Sequence, residues 1–143
     1  VVTDSLERII EANNLLSGIG FESGGLAASH AIHNGLTVLE ATHAYYHGEK
    51  VAYGVLTQLV MENRPLDELE EVIGFCHSVG LPTTLADIGL GDASDEDLMR
   101  VAEAAAAPGE TIHGEPFGEV TPYMVFAALK TADGLGRTYK KCK

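Results

Sequence analysis

The sequence predicts an all-α fold, an array of about six packed helices. Three observations carry it. Apolar residues recur at helical spacing in segment after segment. No run alternates apolar and polar as a half-buried strand does. Helix caps, prolines and glycines fall between the periodic segments and punctuate them. Neither a linker nor a second domain interrupts the pattern.

A first helix is capped by Asp4, with Glu7 three residues on as in a capping box, and carries Leu6, Ile9 and Ile10. The run Phe21-Glu22-Ser23-Gly24-Gly25 is expected to break it. A second helix spans about Gly25 to Thr37. Its small residues (Gly24, Gly25, Ala27, Ala28, Ser29, Ala31) suit a helix at the centre of a bundle. A polar loop bearing His and Tyr follows, around Glu40 to His47.

The third helix starts near Gly48, with Val51, Val55 and Leu59 on one face and Leu56 and Val60 beside them, and ends at Asn63-Arg64-Pro65. The fourth carries Leu66, Leu69, Ile73 and Cys76 and stops at Gly80-Leu81-Pro82. One helical turn is expected near Leu85 to Ile88. Ser94 with Asp97 opens the fifth, which runs through the Ala104–Ala107 stretch to Pro108-Gly109. Thr121-Pro122 starts the sixth, since Thr caps and Pro fits the first helical position. Its stripe is Met124, Val125, Ala128, Leu129 and Ala132, and Gly134 and Gly136 are expected to loosen its end.

With 143 residues, 45% of them apolar, the chain has the size of one domain with a sizeable core. Nine Lys plus Arg against 21 Asp plus Glu give a formal net charge of -12. A field of that sign repels phosphate backbones and anionic lipid, so neither nucleic acid nor a membrane is expected as partner. The excess acid reads as solvated helix faces. Cys76 and Cys142 lie far apart and form no disulfide framework, and Cys76 falls on an apolar stripe. With no signal peptide and no long apolar run, a reducing cytoplasm is the expected setting. The chain starts at Val1-Val2 without an initiating Met, which suggests a fragment or a processed product.

Four of the six histidines, His30, His33, His43 and His47, fall within 18 residues. His30 and His33 share one side of the second helix. An antiparallel return of the chain brings His47 back toward His30. Imidazole is the commonest nitrogen ligand for zinc and iron, and a catalytic zinc takes three protein ligands and one open position. The cluster reads either as part of such a set or as partly exposed polar residues. Glu22, Glu40 and Glu49 are near in sequence, but none has a spacing that marks it as the completing carboxylate.

The run from Phe21 to Gly54, FESGGLAASHAIHNGLTVLEATHAYYHGEKVAYG, closely resembles the metal-binding segment of bacterial glycerol dehydrogenases. These belong to the iron-containing, metal-dependent alcohol dehydrogenase family. The resemblance continues through LTQLVMEN, HSVGLPTTLADIG, AEAAAAPGETIH and the last helix, nearly the whole chain. It implies that residues 1–143 are the C-terminal helical, metal-binding domain, similar to the helical domain of dehydroquinate synthase-like proteins. An N-terminal dinucleotide-binding domain is then absent from this chain, in agreement with the lack of a GxGxxG-like fingerprint.

The resemblance further implies metal ligation by His30 and His47, with Zn²⁺ or else Fe²⁺ as the metal. The third ligand, an Asp, lies upstream of this chain in the family. The implied reaction is NAD-dependent oxidation of glycerol to dihydroxyacetone by the two-domain parent, with the isolated chain inactive. His33 is implied as a residue that braces a ligand or relays a proton; Phe21 and Ser23 would line the substrate cleft. Glu49 and Lys50 read as a cap and a surface charge. The partners implied are glycerol or a similar small polyol, the parent's N-terminal domain, and further copies in a homo-oligomer. Two other readings compete: a non-catalytic helical scaffold or oligomerisation module, and a related metal-dependent polyol dehydrogenase with another substrate.

Overall fold

The computed structural model describes residues 2–24, 27–114 and 117–142, with 21–24 as backbone only. The described residues contain helices and turns and no strand, so the all-α expectation holds.

Thr3, not Asp4, caps the first helix: its Oγ1 accepts the Leu6 N–H at 3.3 Å. Helix α1 (Asp4–Glu11) passes through a π-helical turn (Ala12–Leu16) into α2 (Ser17–Gly24). The helix continues through Phe21, Glu22 and Ser23 and ends at Gly24, within the run that was expected to break it. Counting that continuous run once, the described residues form six helices. The others are α3 (Ala27–Leu36), α4 (His47–Met61), α5 (Leu66–Ser78), α6 (Asp95–Ala105) and α7 (Pro122–Lys141). A 3-10 turn at Leu85–Ile88 stands where one was expected.

α3 is the central helix. It packs against α4 and α6, and α7 closes the bundle against both of these. Ala28, Ala31, Ile32 and Leu36 are fully buried there, as its small residues suggested. Ser94 and Thr121 cap α6 and α7.

The buried face of α4 is turned from Val51, Val55 and Leu59 toward Leu56, which was expected beside them; Val51 and Leu59 are only half-buried. Lys50, Tyr53, Gly54, Leu56 and Thr57 are inside, while Val55 is exposed. Close approach decides the face. A Cβ on Gly54 would meet the Ser29 backbone, so this side of α4 is the one that lies flat on α3. Tyr53 brings its hydroxyl inside because the Leu129 carbonyl accepts it at 2.8 Å.

Leu66 and Met124 are likewise exposed, whereas Leu69, Ile73, Cys76, Val125, Ala128, Leu129 and Ala132 are buried. Nor do Gly134 and Gly136 loosen α7, which runs on to Lys141. Gly136 lies against the Thr83 carbonyl oxygen, and a side chain there would collide with it. In the helix Asp4–Gly24 no described residue is buried. Leu6, Ile9, Ile10, Leu16 and Ile19 are all exposed.

Candidate metal centre

The α3–α4 pair builds the centre. The first N–H groups of a helix reach outward for partners, and α3 is described from Ala27. Gln58 of α4 meets one of them, its Oε1 accepting from the Ser29 N–H at 3.0 Å. That bond lies next to the Gly54 contact and fixes how α4 lies across α3. His30 follows directly on Ser29, and His33 lies one turn further on. His47 is the first residue of α4, whose start is set by Glu49 Oε2 accepting the Tyr46 N–H at 2.7 Å. Glu49 is thus the cap it was expected to be.

Lys50 is not the surface charge that was expected. It is 7% exposed, and its ammonium donates to the Thr42 carbonyl at 3.3 Å. Thr42 is buried in turn, with its hydroxyl against the Leu36 carbonyl at 2.8 Å and the Leu39 carbonyl at 3.0 Å. Lys50 and Thr42 together fasten the loop that carries the chain from α3 back to His47.

The two segments bring His30, His33 and His47 together. Ring centroids of His30 and His47 are 5.1 Å apart with planes inclined by 55°. Two imidazoles sharing a tetrahedral zinc at about 2.0–2.1 Å per Zn–N bond have centroids about 5 Å apart, so this pair fits. His33 sits closer to His47, at 4.2 Å between centroids. Its Nε2 lies 3.1 Å from His47 Nδ1, a hydrogen bond between the rings. His47 therefore spends Nδ1 on His33, which leaves Nε2 as its other ring nitrogen.

His30 Nδ1 is buried and has no hydrogen-bond partner among the described residues. An orphaned buried polar atom costs about 1–3 kcal/mol and calls for a partner from outside them. Burial, then the neighbouring His47, holds the His30 pKa below the ordinary imidazole range. Burial also lowers that of His33, helped by His47, Lys50 and His30 and opposed by the hydrogen bond to Asn34. Depressed values favour the neutral rings that ligation requires. Among the described residues no group of three or more His, Cys, Asp or Glu is arranged to hold a metal.

Two further histidines bond to backbone carbonyls away from the cluster. His43 Nε2 bonds the Thr37 carbonyl at 2.9 Å, and His113 Nε2 bonds the Ala106 carbonyl at 3.1 Å. The side chains of Phe21 and Ser23 lie outside the described residues. Three residues whose roles sequence reasoning missed touch the centre or its supports: Lys50, Asn34 and Glu110. Asn34 Nδ2 donates to Glu110 Oε2 at 3.2 Å, and His33 Nδ1 lies 3.2 Å from Asn34 Oδ1. Asn34 was visible within HAIHNG, but Glu110 comes from 76 residues further along. No local spacing reveals such a contact.

The chain is 65% identical over 139 residues to glycerol dehydrogenase of Thermotoga maritima, covering 97% of this chain and 38% of that protein. The chain is a glycerol dehydrogenase homologue. A solved structure of a probable glycerol dehydrogenase from Sinorhizobium meliloti superposes on this homologue with a TM-score of 0.88 at 51% identity. The match covers 96% of this chain and 39% of that one. A glycolaldehyde reductase of Halobacterium salinarum is 57% identical over 136 residues, 95% of this chain and 37% of that protein. The homologue thus spans well under half the length of these relatives. No protein-family model matches it. None of its described helices is long and apolar enough to cross a membrane.

Proposed function

We propose that this chain is the metal-binding helical part of an NAD-dependent glycerol dehydrogenase, and that His30 and His47 are two of the metal's protein ligands. The observation that carries this reading is the pair itself. His30 offers a buried nitrogen without a partner among the described residues, and His47 a ring whose Nδ1 is already engaged by His33, with Nε2 as its other nitrogen. Zn²⁺ suits two imidazoles with a carboxylate, and Fe²⁺ suits them as well. The completing Asp and the dinucleotide site belong to the remainder of the parent, so the isolated chain is inactive.

When bound, the metal supplies a Lewis acid that lowers the pKa of a substrate hydroxyl, and the nicotinamide accepts the hydride. The chain's own residues position and orient. His30 and His47 present neutral lone pairs. His33 holds the ring of His47 from behind. Lys50 pins the loop that delivers His47 and adds positive charge beside the cluster. The exposed apolar residues of the helix Asp4–Gly24 would pack against the rest of the parent. Glycerol is the substrate class supported by the Thermotoga maritima relative. A second reading keeps the centre and changes the substrate, since a glycolaldehyde reductase is similar over the same region.

In the two-domain parent, His30→Ala and His47→Ala are each expected to lower kcat/KM for glycerol by roughly 10³-fold or more. That follows from the several kcal/mol that a Lewis acid contributes. Metal content should fall with activity while NADH binding is retained. Full turnover in either variant would refute the ligand assignment. Comparing glycerol with glycolaldehyde on the unaltered parent separates the two substrate readings.

A further inference from the structure

We infer that Glu110 sets the tautomer of His47 through a directional hydrogen-bond chain, Glu110–Asn34–His33–His47. Glu110 is a positioning residue: it touches neither substrate nor metal. The inference rests on the proposed metal centre for its purpose but not for its test.

The direction follows from donor and acceptor chemistry. An ionised carboxylate only accepts. Glu110 Oε2 lies 3.2 Å from the Asn34 amide, so it must face the Nδ2 donor; the opposite rotamer would set oxygen against oxygen. That turns Asn34 Oδ1 toward His33 Nδ1 at 3.2 Å, and an amide oxygen also only accepts. His33 must then carry its proton on Nδ1. Its Nε2 becomes an acceptor, 3.1 Å from His47 Nδ1, and His47 must donate from Nδ1. A neutral His47 with its proton on Nδ1 has a bare lone pair on Nε2. One carboxylate thus fixes three successive donors and readies the nitrogen that the metal would take.

The anchoring is long-range. Glu110 precedes the 3-10 turn Thr111–His113, which packs on α3. Thr111 Oγ1 donates to the Ala27 carbonyl at 2.8 Å and holds this turn at the start of α3. Ile112 beside it is fully buried. The carboxylate is therefore held within reach of Asn34.

The test is the tautomeric state of the histidines in the metal-free chain, read from long-range ¹H–¹⁵N correlations above about pH 8, where imidazoles are neutral. His33 and His47 should both be in the Nδ1–H form, favoured by about tenfold or more, the bias one charge-assisted hydrogen bond confers. Glu110→Gln is isosteric, but its amide can donate or accept. Both directions then become open, and His47 should become a mixture of the two tautomers. The double variant Asn34→Asp with Glu110→Gln keeps the net charge and restores a single direction. The carboxylate now at position 34 accepts both from the amide at position 110 and from His33, and the Nδ1–H form of His47 should return. A merely structural role for Glu110 predicts no such rescue.

His47 in the Nε2–H form in the unaltered chain would overturn the inference. So would a Glu110→Gln spectrum identical to that of the unaltered chain, or failure of the double variant to restore the tautomer. Adding Zn²⁺ afterwards tests the metal reading separately. If the His47 Nε2 signal does not move, the ligand assignment falls while the tautomer result stands.

Discussion

Lys50 and Asp87 show how single side chains are placed by partners that local spacing does not reveal. A buried ammonium is costly unless it is bonded, and Lys50 meets this by closing on the Thr42 carbonyl. Asp87 works in the opposite sense. Burial pushes its pKa up, but the Lys140 ammonium and the Thr83 and Thr84 groups outweigh this and hold it at about 2, against an ordinary 3.8. The Thr83 N–H donates to Asp87 Oδ2 at 3.0 Å and Lys140 Nζ approaches it at 2.6 Å. A carboxylate whose pKa is lowered by folding stabilises the fold above its unfolded pKa and loses that contribution as pH falls through the folded one. The contribution is therefore fully present above about pH 4 and gone below about pH 2. Because both side chains are partly exposed, its size is about 1 kcal/mol. Asp87→Asn should thus be less stable than the unaltered chain at about pH 6 by about that amount, and the gap should close as acid is added. Urea denaturation across pH checks this; a gap that ignores pH would count against the ion pair. In the sequence Lys140 is only part of a basic tail and Lys50 a helix-start charge. Neither partner, Asp87 nor Thr42, can be inferred from spacing.

The helices themselves were legible, because each carries its own period, cap and stop. Their buried faces were less so. Hydrophobicity ranks Val51, Val55 and Leu59 above Lys50, Tyr53, Gly54 and Thr57, yet the second set faces the core. What decides is contact distance between backbones, and a lone glycine in a helix announces that only weakly. Gly54 against Ser29 sets the spacing of α3 and α4, and so the spacing of His30 and His47. Gly54→Ala should destabilise the chain by about 1–3 kcal/mol, the usual cost of overpacking, and should weaken metal binding as the rings separate. Gly134 is the control. A Cβ there meets nothing within 4 Å, so Gly134→Ala should be neutral or stabilising, by up to about 1 kcal/mol. Thermal unfolding of both variants, with a metal titration of each, separates a packing effect from a general intolerance of alanine. Equal stability of Gly54→Ala and the unaltered chain would contradict the close-approach account.

At the scale of the whole molecule, the chain assembles a core, a histidine cluster and one side of the proposed metal centre. Spacing alone left four histidines in play; the resemblance singled out His30 and His47. The fold then brings these two together with His33 and leaves His43 on a backbone carbonyl. Among the described residues no group of three or more His, Cys, Asp or Glu is arranged to hold a metal, so the pair stands as part of a proposed set. The brace behind His47 was not legible, since Glu110 reaches Asn34 only through the tertiary fold. The net charge of -12 and the exposed apolar residues of the helix Asp4–Gly24 are properties of the whole surface, and neither points to the centre at α3 and α4. The most direct test of the central claim is a Zn²⁺ titration of this chain, followed through the ring ¹⁵N signals of its histidines. One weakly held ion should shift His30 and His47. Affinity should fall in both His30→Ala and His47→Ala by more than the roughly 10–100-fold that losing an outer partner costs. Undiminished binding in either variant, or an ion held by other histidines, would contradict it.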